Sequence, residues 1–405
     1  MLRVFVSGYG MVTAFGKSWA DLRHGFIQKQ NAVQLIPEWK QYENLTCYLA
    51  APILNYVPPS EWSRKQKRSL GKVAQYSVEA AGLALQSANL LGDSSLQDGR
   101  TGVASGSSTG STDATLQLAK LFLGLPNTCN ANTYIKYMPH TTAANIALFY
   151  SLKGRIIPTS SACTSASHAI GYAYEAIQSG KIDIMIAGGA EELCPSEAYT
   201  FNFLYAASQK NDTPKLTPAP FDEHRDGLVV GEGAGYLILE SEASIQRRKV
   251  APLAEIVGFG STCDGAHITR PQSETMKQSM ILALKDANLQ SNKIQYVNAH
   301  ATATKWGDIT ESLATQAVFG DKIHISSLKS YLGHTLGACG GIESIACIAM
   351  MNEERFFPTI NLKQIDKECA KLRYLTDEIH LKTDYVMNNN FAFGGINTSL
   401  IFKKT

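Results

Sequence analysis

Along the chain, short β-branched runs alternate with stretches of helical period. Leu2–Val6 and Ile182–Ala187 read as strands, the second stopping at Gly188-Gly189, and Arg155–Thr159 is a further β-branched run. Lys72–Leu90 carries a helical pattern. Beyond Ser165, the apolar residues Ile170, Ala173, Tyr174 and Ile177 fall at i, i+3, i+4 and i+7, one buried helical face, with Gly180 as a stop. Such alternation predicts a layered α/β fold. Length alone allows roughly two or three domains, but no low-complexity or Pro/Ser-rich linker marks off an independent one.

Two echoes point to an internal duplication. Val6-Ser7-Gly8-Tyr9-Gly10 resembles Ile256-Val257-Gly258-Phe259-Gly260, each a strand running into glycines. Ala84–Leu90 (ALQSANL) resembles Ala283–Leu289 (ALKDANL), each ending an amphipathic helix. Helix ends share composition, so chance similarity is the competing account. Duplication would make residues 1–250 and 251–405 two copies of one α/β unit, the first with long insertions.

Composition narrows the function classes. Of 405 residues 44% are hydrophobic, ample for a large core, and 37 basic against 35 acidic residues leave a net charge of +2. That balance argues against nucleic-acid binding, which calls for a basic excess. The eight cysteines, at 47, 129, 163, 194, 263, 339, 347 and 369, form no CxxC pair and no zinc-spaced cluster. They suit free thiols in a reducing compartment, and no metal site is expected. The segment MLRVFVSGYGMVTAFG reads as a strand and turn rather than a signal peptide, and no apolar run approaches the roughly 20 residues of a membrane span. A cytoplasmic protein without membrane insertion is expected.

The candidate chemistry starts at SSACTSASHAIGYAYEAIQSG, where Cys163 follows a strand and opens a helix. Free N–H groups and the macrodipole at a helix N-terminus favour a thiolate and lower its pKa, and they also suit an oxyanion. A small buried packing cysteine among Ala162, Ser165 and Ala166 is the equally weighted alternative. Two histidines shift that balance: His300 in YVNAHATAT and His334 in SSLKSYLGHTLGACGG each follow a strand into a loop of small residues that lets a substrate approach. His24, His224, His324 and His380 read as structural.

With Lys329 and with Phe393 in NNFAFGGINTSLIF, these residues resemble the signature set of β-ketoacyl-acyl-carrier-protein synthases. PFDEHRDGLVVGEGAG (220–235) and CDGAHITRP (263–271) are further family-like blocks in the expected order, and the resemblance spans roughly residues 4–403. It implies the thiolase-like fold, a duplicated five-layer α-β-α-β-α unit, and decarboxylative Claisen condensation. Cys163 would hold the acyl chain, and His300 and His334 would donate to the malonyl thioester. The N–H groups of Cys163 and Phe393 would bind the oxyanion. Lys329 would set the local electrostatics paired with Glu311, with Asp308 the other acid matching the family pattern; a purely structural ion pair is the alternative for Lys329. Thr109, Phe201, Thr269, Thr302, Thr304, Ala392 and Gly394 are the implied substrate-binding positions. No bound cofactor is implied, because the phosphopantetheine arm arrives on an acyl carrier protein. GEGAG lacks dinucleotide spacing and reads as turns packed under the site.

The chain also departs from that family. Ala301 follows His300 where glycine is usual, Lys305-Trp306 replaces a more proline-like turn, and Thr109 stands where a large aliphatic residue often limits the acyl pocket. Ala392 replaces a glycine before Phe393, where it is expected to stiffen the loop, and Ile396 replaces a threonine. These changes leave open a specialised type II polyketide or aryl-polyene system in place of fatty-acid elongation. A non-catalytic partner subunit is disfavoured by Cys163 with both histidines, and a degradative thiolase by FAFGG without a second cysteine. The expected partners are an acyl carrier protein, docked on the basic run Ser63–Lys72 at Lys65 and Arg68, and either a second copy or a chain-length-factor-like homologue, paired through Arg155–Thr159. A solvated basic face is the alternative for that run.

Overall fold

The computed structural model describes all 405 residues, Met1–Thr405. Five strands of the first half are β1 (Val4–Val12), β2 (Thr101–Gly106), β3 (Ile156–Thr159), β4 (Ile184–Glu191) and β5 (Gly233–Ser241). Five of the second half are β6 (Ala254–Cys263), β7 (Tyr296–Asn298), β8 (His324–Ser326), β9 (Tyr385–Ala392) and β10 (Ile396–Lys403). In space they run β3-β2-β4-β5-β1 and β8-β7-β9-β10-β6, the same order in each half, with the short strand Arg373–Tyr374 beyond β8. The senses match too: the first two pairings of each series are parallel and the next two antiparallel. The halves join where β1 pairs β6 antiparallel at Val4↔Ile256, Phe5↔Glu255 and Val6↔Ala254.

Helices α1 (Lys72–Ser87) and α2 (Thr141–Phe149) cover the outer face of the first half's strands, packing Val73, Ala80, Ala84 and Ile146 on Val103, Ile184, Ile186 and Ile238. Helix α3 (Ser165–Gln178) lies between the two sets of strands with a second central helix, Cys339–Glu353, and their apolar faces share one core with Met185, Leu237, Ile256, Val386 and Phe402. Between α3 and that second central helix in sequence come α4 (Pro195–Phe203), α5 (Ser273–Asp286) and α6 (Lys305–Phe319); the second central helix is therefore α7. Helices α5 and α6 close the other outer face against Val297, Ile325, Met387 and Ile401. Outer helices, strands, central helices, strands and outer helices make the five layers of a thiolase-like fold.

Both echoes have a physical basis here. A Cβ at Gly8 or Gly10 would meet the backbone of α1 at Ala84–Ala88 or Ala80, and one at Gly258 or Gly260 would meet α5 at Ala283 or Ser279. Glycine in the strand lets the helix press directly onto it in each half. The helix ends correspond as well, since Asn89 (φ 54°) and Asn288 (φ 50°) are the left-handed residues that terminate them.

The strands differ from expectation at their bounds. β4 does not stop at Gly188-Gly189 but runs through both, to Glu191. A side chain at Gly188 would collide with the Gly235 carbonyl of β5, so these glycines serve close approach rather than a turn. The β-branched run before Cys163 forms the outermost strand β3, and Ile156 on it is exposed. No helix is long and apolar enough to cross a membrane.

Candidate active site

Cys163 sits one turn before α3, in the 3₁₀ turn Ala162–Thr164. Ala162 takes φ 50°, a left-handed conformation that costs a non-glycine residue roughly 1–2 kcal/mol. Local hydrogen bonds hold it there: the Ser165 hydroxyl donates to the Ala162 carbonyl (2.7 Å), Ser161 N–H donates to Ser165 Oγ (2.9 Å), and the Thr164 hydroxyl donates to the Ser161 carbonyl (2.7 Å). The turn projects Cys163 at the floor of a cavity of about 380 Å³ that His300, His334, Phe201 and Phe393 also line.

His334 Nε2 lies 2.9 Å from Cys163 Sγ. The Leu336 N–H donates to His334 Nδ1 (3.3 Å), so a neutral His334 carries its proton on Nε2 and aims it at the sulfur and the cavity. Backbone bonds clamp the residue: His334 N–H to the Val229 carbonyl (2.7 Å), and Gly231 N–H to the His334 carbonyl (2.8 Å). His300 meets His334 edge to face with ring centroids 5.1 Å apart, and its Nδ1 is buried without a partner. Burial, then the Lys329 charge, holds both imidazoles well below the usual histidine value, so both are neutral. Ligand atoms of Cys163, His300 and His334 lie within 4.8 Å of one another, a donor set that in chemical terms also suits a metal ion.

Several expectations need correction. Lys329 pairs with Glu343, not Glu311: its Nζ lies 2.5 Å from Glu343 Oε1, and Asn390 Nδ2 donates to Glu343 Oε2 (2.8 Å). Burial opposes the ammonium, but the Glu343 carboxylate, with Cys339 and Glu311 adding to it, raises the Lys329 pKa. Glu311 instead accepts the N–H groups of His300 (2.8 Å) and Ala301 (2.7 Å), and burial raises it to about 8. Asp308 accepts Phe221 N–H (2.7 Å) and Ala303 N–H (3.1 Å), 3.5 Å from Arg225 Nε. Burial pushes it to about 7 despite Arg225. Both acids therefore fix the His300 loop, including Ala303 at φ 66°.

The Cys163 thiol also behaves differently from a simple helix-terminus thiol. Full burial pushes it up to about 12, against Lys329 and the backbone N–H groups of Cys163 and Phe393, which pull it down. Desolvation outweighs the half-charge of a helix end. Those two N–H groups both face the sulfur.

Phe393 opens the β9–β10 turn, its ring 5.4 Å from that of Phe201. Ala392 is the last residue of β9, and the left-handed positions belong to Gly394 (φ 85°) and Gly395 (φ 72°). The alanine therefore carries no backbone strain in this conformation. Thr269, Thr302, Thr304 and Ala392 line the cavity, with the hydroxyls of Thr302 and Thr304 3.1 Å apart. Thr109 does not line it; its hydroxyl sits between Glu197 Oε1 (2.8 Å) and Glu191 Oε1 (3.0 Å). Lys65 and Arg68 are exposed on and just after the one-turn helix Arg64–Lys67, outside the cavity.

Sequence reasoning missed Glu343, Asn390 and Glu191. Glu343 had a signal, being the charged residue inside the apolar run GGIESIACIAMM. Glu191 had a weaker one; it is fully buried and accepts from Ser107, Ser108, Thr109 and the N–H of Gly337 (2.9 Å), tying the two halves together behind Cys163.

Comparison with known proteins bears on this arrangement. The family described as "Beta-ketoacyl synthase, N-terminal domain" matches residues 1–244, and "Beta-ketoacyl synthase, C-terminal domain" matches residues 253–363. The chain is 33% identical to 3-oxoacyl-[acyl-carrier-protein] synthase 1 of Haemophilus influenzae, covering 100% of this chain and 99% of that one. A crystal structure of a β-ketoacyl synthase from Burkholderia phymatum superposes with a TM-score of 0.98 at 51% identity, covering 100% of both chains. The ishigamide ketosynthase/chain length factor gives a TM-score of 0.90 at 28% identity, covering 100% of this chain and 99% of that one. On this agreement of sequence, fold and cavity, the chain belongs to the β-ketoacyl synthase family and is an acyltransferase of the 3-oxoacyl-[acyl-carrier-protein] synthase type.

Proposed function

We propose that Cys163 carries the growing acyl chain as a thioester, and that His300 and His334 drive decarboxylation of a malonyl thioester beside it. The observation that carries this reading is the approach of one thiol and two neutral imidazoles at the floor of one cavity, with two backbone N–H groups facing the sulfur. Neutral imidazoles donate to the malonyl thioester oxygen as CO₂ leaves and negative charge collects there as enolate. The enolate carbon attacks the Cys163 thioester carbonyl, and the N–H groups of Cys163 and Phe393 hold the oxyanion. A carbon–carbon bond forms, the carbon–sulfur bond to Cys163 breaks, and the thiolate takes up a proton. The Lys329 ammonium, kept charged by Glu343, stabilises thiolate and enolate across the low-dielectric site and suppresses protonation of the histidines. Glu311 and Asp308 act as positioning residues for the His300 loop.

In this reading residues 1–250 supply the nucleophile and 251–405 the histidines. Phe201, Thr269, Thr302, Thr304, Ala392 and Gly394 shape the path of the arm and the acyl chain, and Thr109 with Glu197 places a polar contact behind it. No cofactor is held; substrates arrive on phosphopantetheine in the cytoplasm, and Lys65 and Arg68 dock the acidic carrier protein. A second reading, an elongating subunit of a type II polyketide or aryl-polyene system paired with a chain-length-factor-like homologue, is favoured by that polar contact at Thr109 and by the unpaired outer edge of β3. A second copy of the chain fits the same edge.

The test is intact-mass analysis after incubation with acyl-carrier protein, followed by malonyl-carrier protein. The wild type should gain the acyl mass and then release an extended product, whereas Cys163→Ala should do neither, with condensation reduced at least about 10³-fold. Chain extension by Cys163→Ala would overturn the mechanism.

A further inference from the structure

The block PFDEHRDGLVVGEGAG (220–235) supplies no reacting group, yet it runs as a strap between the two histidines. One end reaches His334: the Val229 carbonyl accepts the His334 N–H (2.7 Å), and the Gly231 N–H donates to the His334 carbonyl (2.8 Å). Its middle follows the cavity wall, where Leu228 is a lining residue whose N–H donates to the Ala206 carbonyl (2.8 Å). Gly227, at φ 132°, turns the chain there, and an added Cβ would lie 2.5 Å from the Ala206 carbonyl oxygen. At the other end is Arg225, its side chain only 1% exposed.

All three guanidinium nitrogens of Arg225 donate: Nε to the Thr304 carbonyl (3.3 Å), Nη2 to the Lys305 carbonyl (2.9 Å), and Nη1 to the Asp222 carbonyl (2.8 Å) and Asp366 Oδ2 (2.7 Å). Thr304 and Lys305 are where the His300 loop enters α6. A cation at the start of a helix opposes the macrodipole, and burying one is unfavourable, so a guanidinium in that place needs a reason beyond helix stability. Asp308, in the first turn of α6, and Asp366 offset its charge. His300 supplies the reason. Its ring Nδ1 is buried without a partner, whereas the Leu336 N–H fixes the His334 ring. His300 is therefore aimed through its main chain. Glu311 holds the N–H groups of His300 and Ala301, and Arg225 holds the carbonyls of Thr304 and Lys305. Lysine offers a point charge where the planar fork of arginine reaches both carbonyls at once.

We propose that Arg225 is a positioning residue for decarboxylation: it fastens the His300 loop to the strap that also clamps His334, so that the two donors keep one spacing about the malonyl thioester. This rests on the ketosynthase reading above, in which both imidazoles donate to that thioester. Acyl transfer to Cys163 relies instead on the thiol and on the N–H groups of Cys163 and Phe393. The two half-reactions therefore separate a positioning role from a merely structural one.

The experiment measures both half-reactions on the same samples: acylation of Cys163 by an acyl-carrier protein, followed by intact mass, and CO₂ release from malonyl-carrier protein. Arg225→Lys and Arg225→Gln should lower kcat for decarboxylation about ten- to hundredfold, Gln more than Lys, and change KM less than about twofold. Acylation should keep at least about half the wild-type rate, which also reports that each variant is folded. In a His300→Ala background, Arg225→Lys should add less than about a twofold loss, because the residue through which Arg225 acts is already gone. An equal loss in both half-reactions would make Arg225 a structural residue only and overturn the inference. Full decarboxylation by Arg225→Gln would overturn it too, as would a loss that multiplies undiminished with that of His300→Ala. A wild type that acylates but releases no CO₂ from malonyl-carrier protein sinks the ketosynthase reading itself, whereas a wild type active in both steps, with any of those outcomes in the variants, sinks only the placement of Arg225.

Discussion

The turn Ala162–Thr164 and the turn Leu336–Ala338 occupy the same place in the two halves. Each leads from the third strand of its half toward the central helix, and each opens with a non-glycine residue in the left-handed region, Ala162 at φ 50° and Leu336 at φ 46°. Their next residues differ. In the first half it is Cys163, whose side chain enters the cavity. In the second it is Gly337, where an added Cβ would lie 2.6 Å from Glu191 Oε2 and 2.9 Å from Ser108 N. One copy of the turn uses its strained geometry to display a nucleophile. The other brings its backbone against the first half, and presents chemistry one step earlier, through His334. A duplicated scaffold thus yields an asymmetric site because the two copies of the turn face each other, and only one side can be filled by a side chain.

After loss of the nucleophile itself, the largest effects should come from the second half's contribution. His300→Ala and His334→Ala should each slow decarboxylation of malonyl thioester by about 10²–10³-fold, the usual cost of losing a donor aimed at developing charge. Normal decarboxylation by both variants would leave the asymmetry without catalytic meaning. Since burial and Lys329 keep both imidazoles neutral, the wild-type decarboxylation rate should change with pH only as Asp308 (about 7) and Glu311 (about 8) titrate beneath the His300 loop; an inflection near about 6.5 that survives in Asp308→Asn would show that an imidazolium takes part.

Next in size is the buried pair that serves both turns. Glu343→Ala leaves the Lys329 ammonium unpaired in the core and should cost about 3–5 kcal/mol of stability, measured by denaturant unfolding. A Lys329→Met/Glu343→Leu double variant should recover much of that stability and none of the activity. If the single variant unfolds like wild type, the charge on Lys329 is not maintained by Glu343.

Gly337→Ala tests the comparison itself. The methyl group has no room against Glu191 and the Ser108 backbone, so a loss of about 1–3 kcal/mol is expected, with reduced condensation as His334 shifts. Tolerance of alanine there would mean that the second turn is not packed against the first half as described.

The smallest effect concerns the Phe393 turn. Ala392 lies in β9 with ordinary backbone geometry, so Ala392→Gly should change stability by no more than about 1 kcal/mol and leave primer selection nearly unchanged. Gly394→Ala, at φ 85° with only Ile396 at ordinary contact distance, should cost about 1–2 kcal/mol and slow acylation of Cys163 more than Ala392→Gly does. The reverse ranking in a primer-competition assay would restore the alanine as a gate element.

Local patterns were legible in the sequence. The period of Ile170, Ala173, Tyr174 and Ile177 predicts α3, and paired glycines before ALQSANL and ALKDANL predict the duplication, because each half repeats the same strand-to-helix contact and therefore the residues that contact requires. Cys163, His300 and His334 were each legible from the strand before them and the small residues around them. What tertiary structure alone decided depends on groups brought together from distant segments. Lys329 has Glu311 and Glu343 at similar separations in sequence, and the packing of α7 places Glu343 against its ammonium while the His300 backbone takes Glu311. A helix start suggests a lowered Cys163 pKa, but the residues that bury the thiol come from both halves, and their desolvation reverses the sign. Thr109 and Ala392 follow the same rule: the partners of one, Glu191 and Glu197, lie more than eighty residues away, and the φ of the other is set by its pairing with Ile396 across the hairpin.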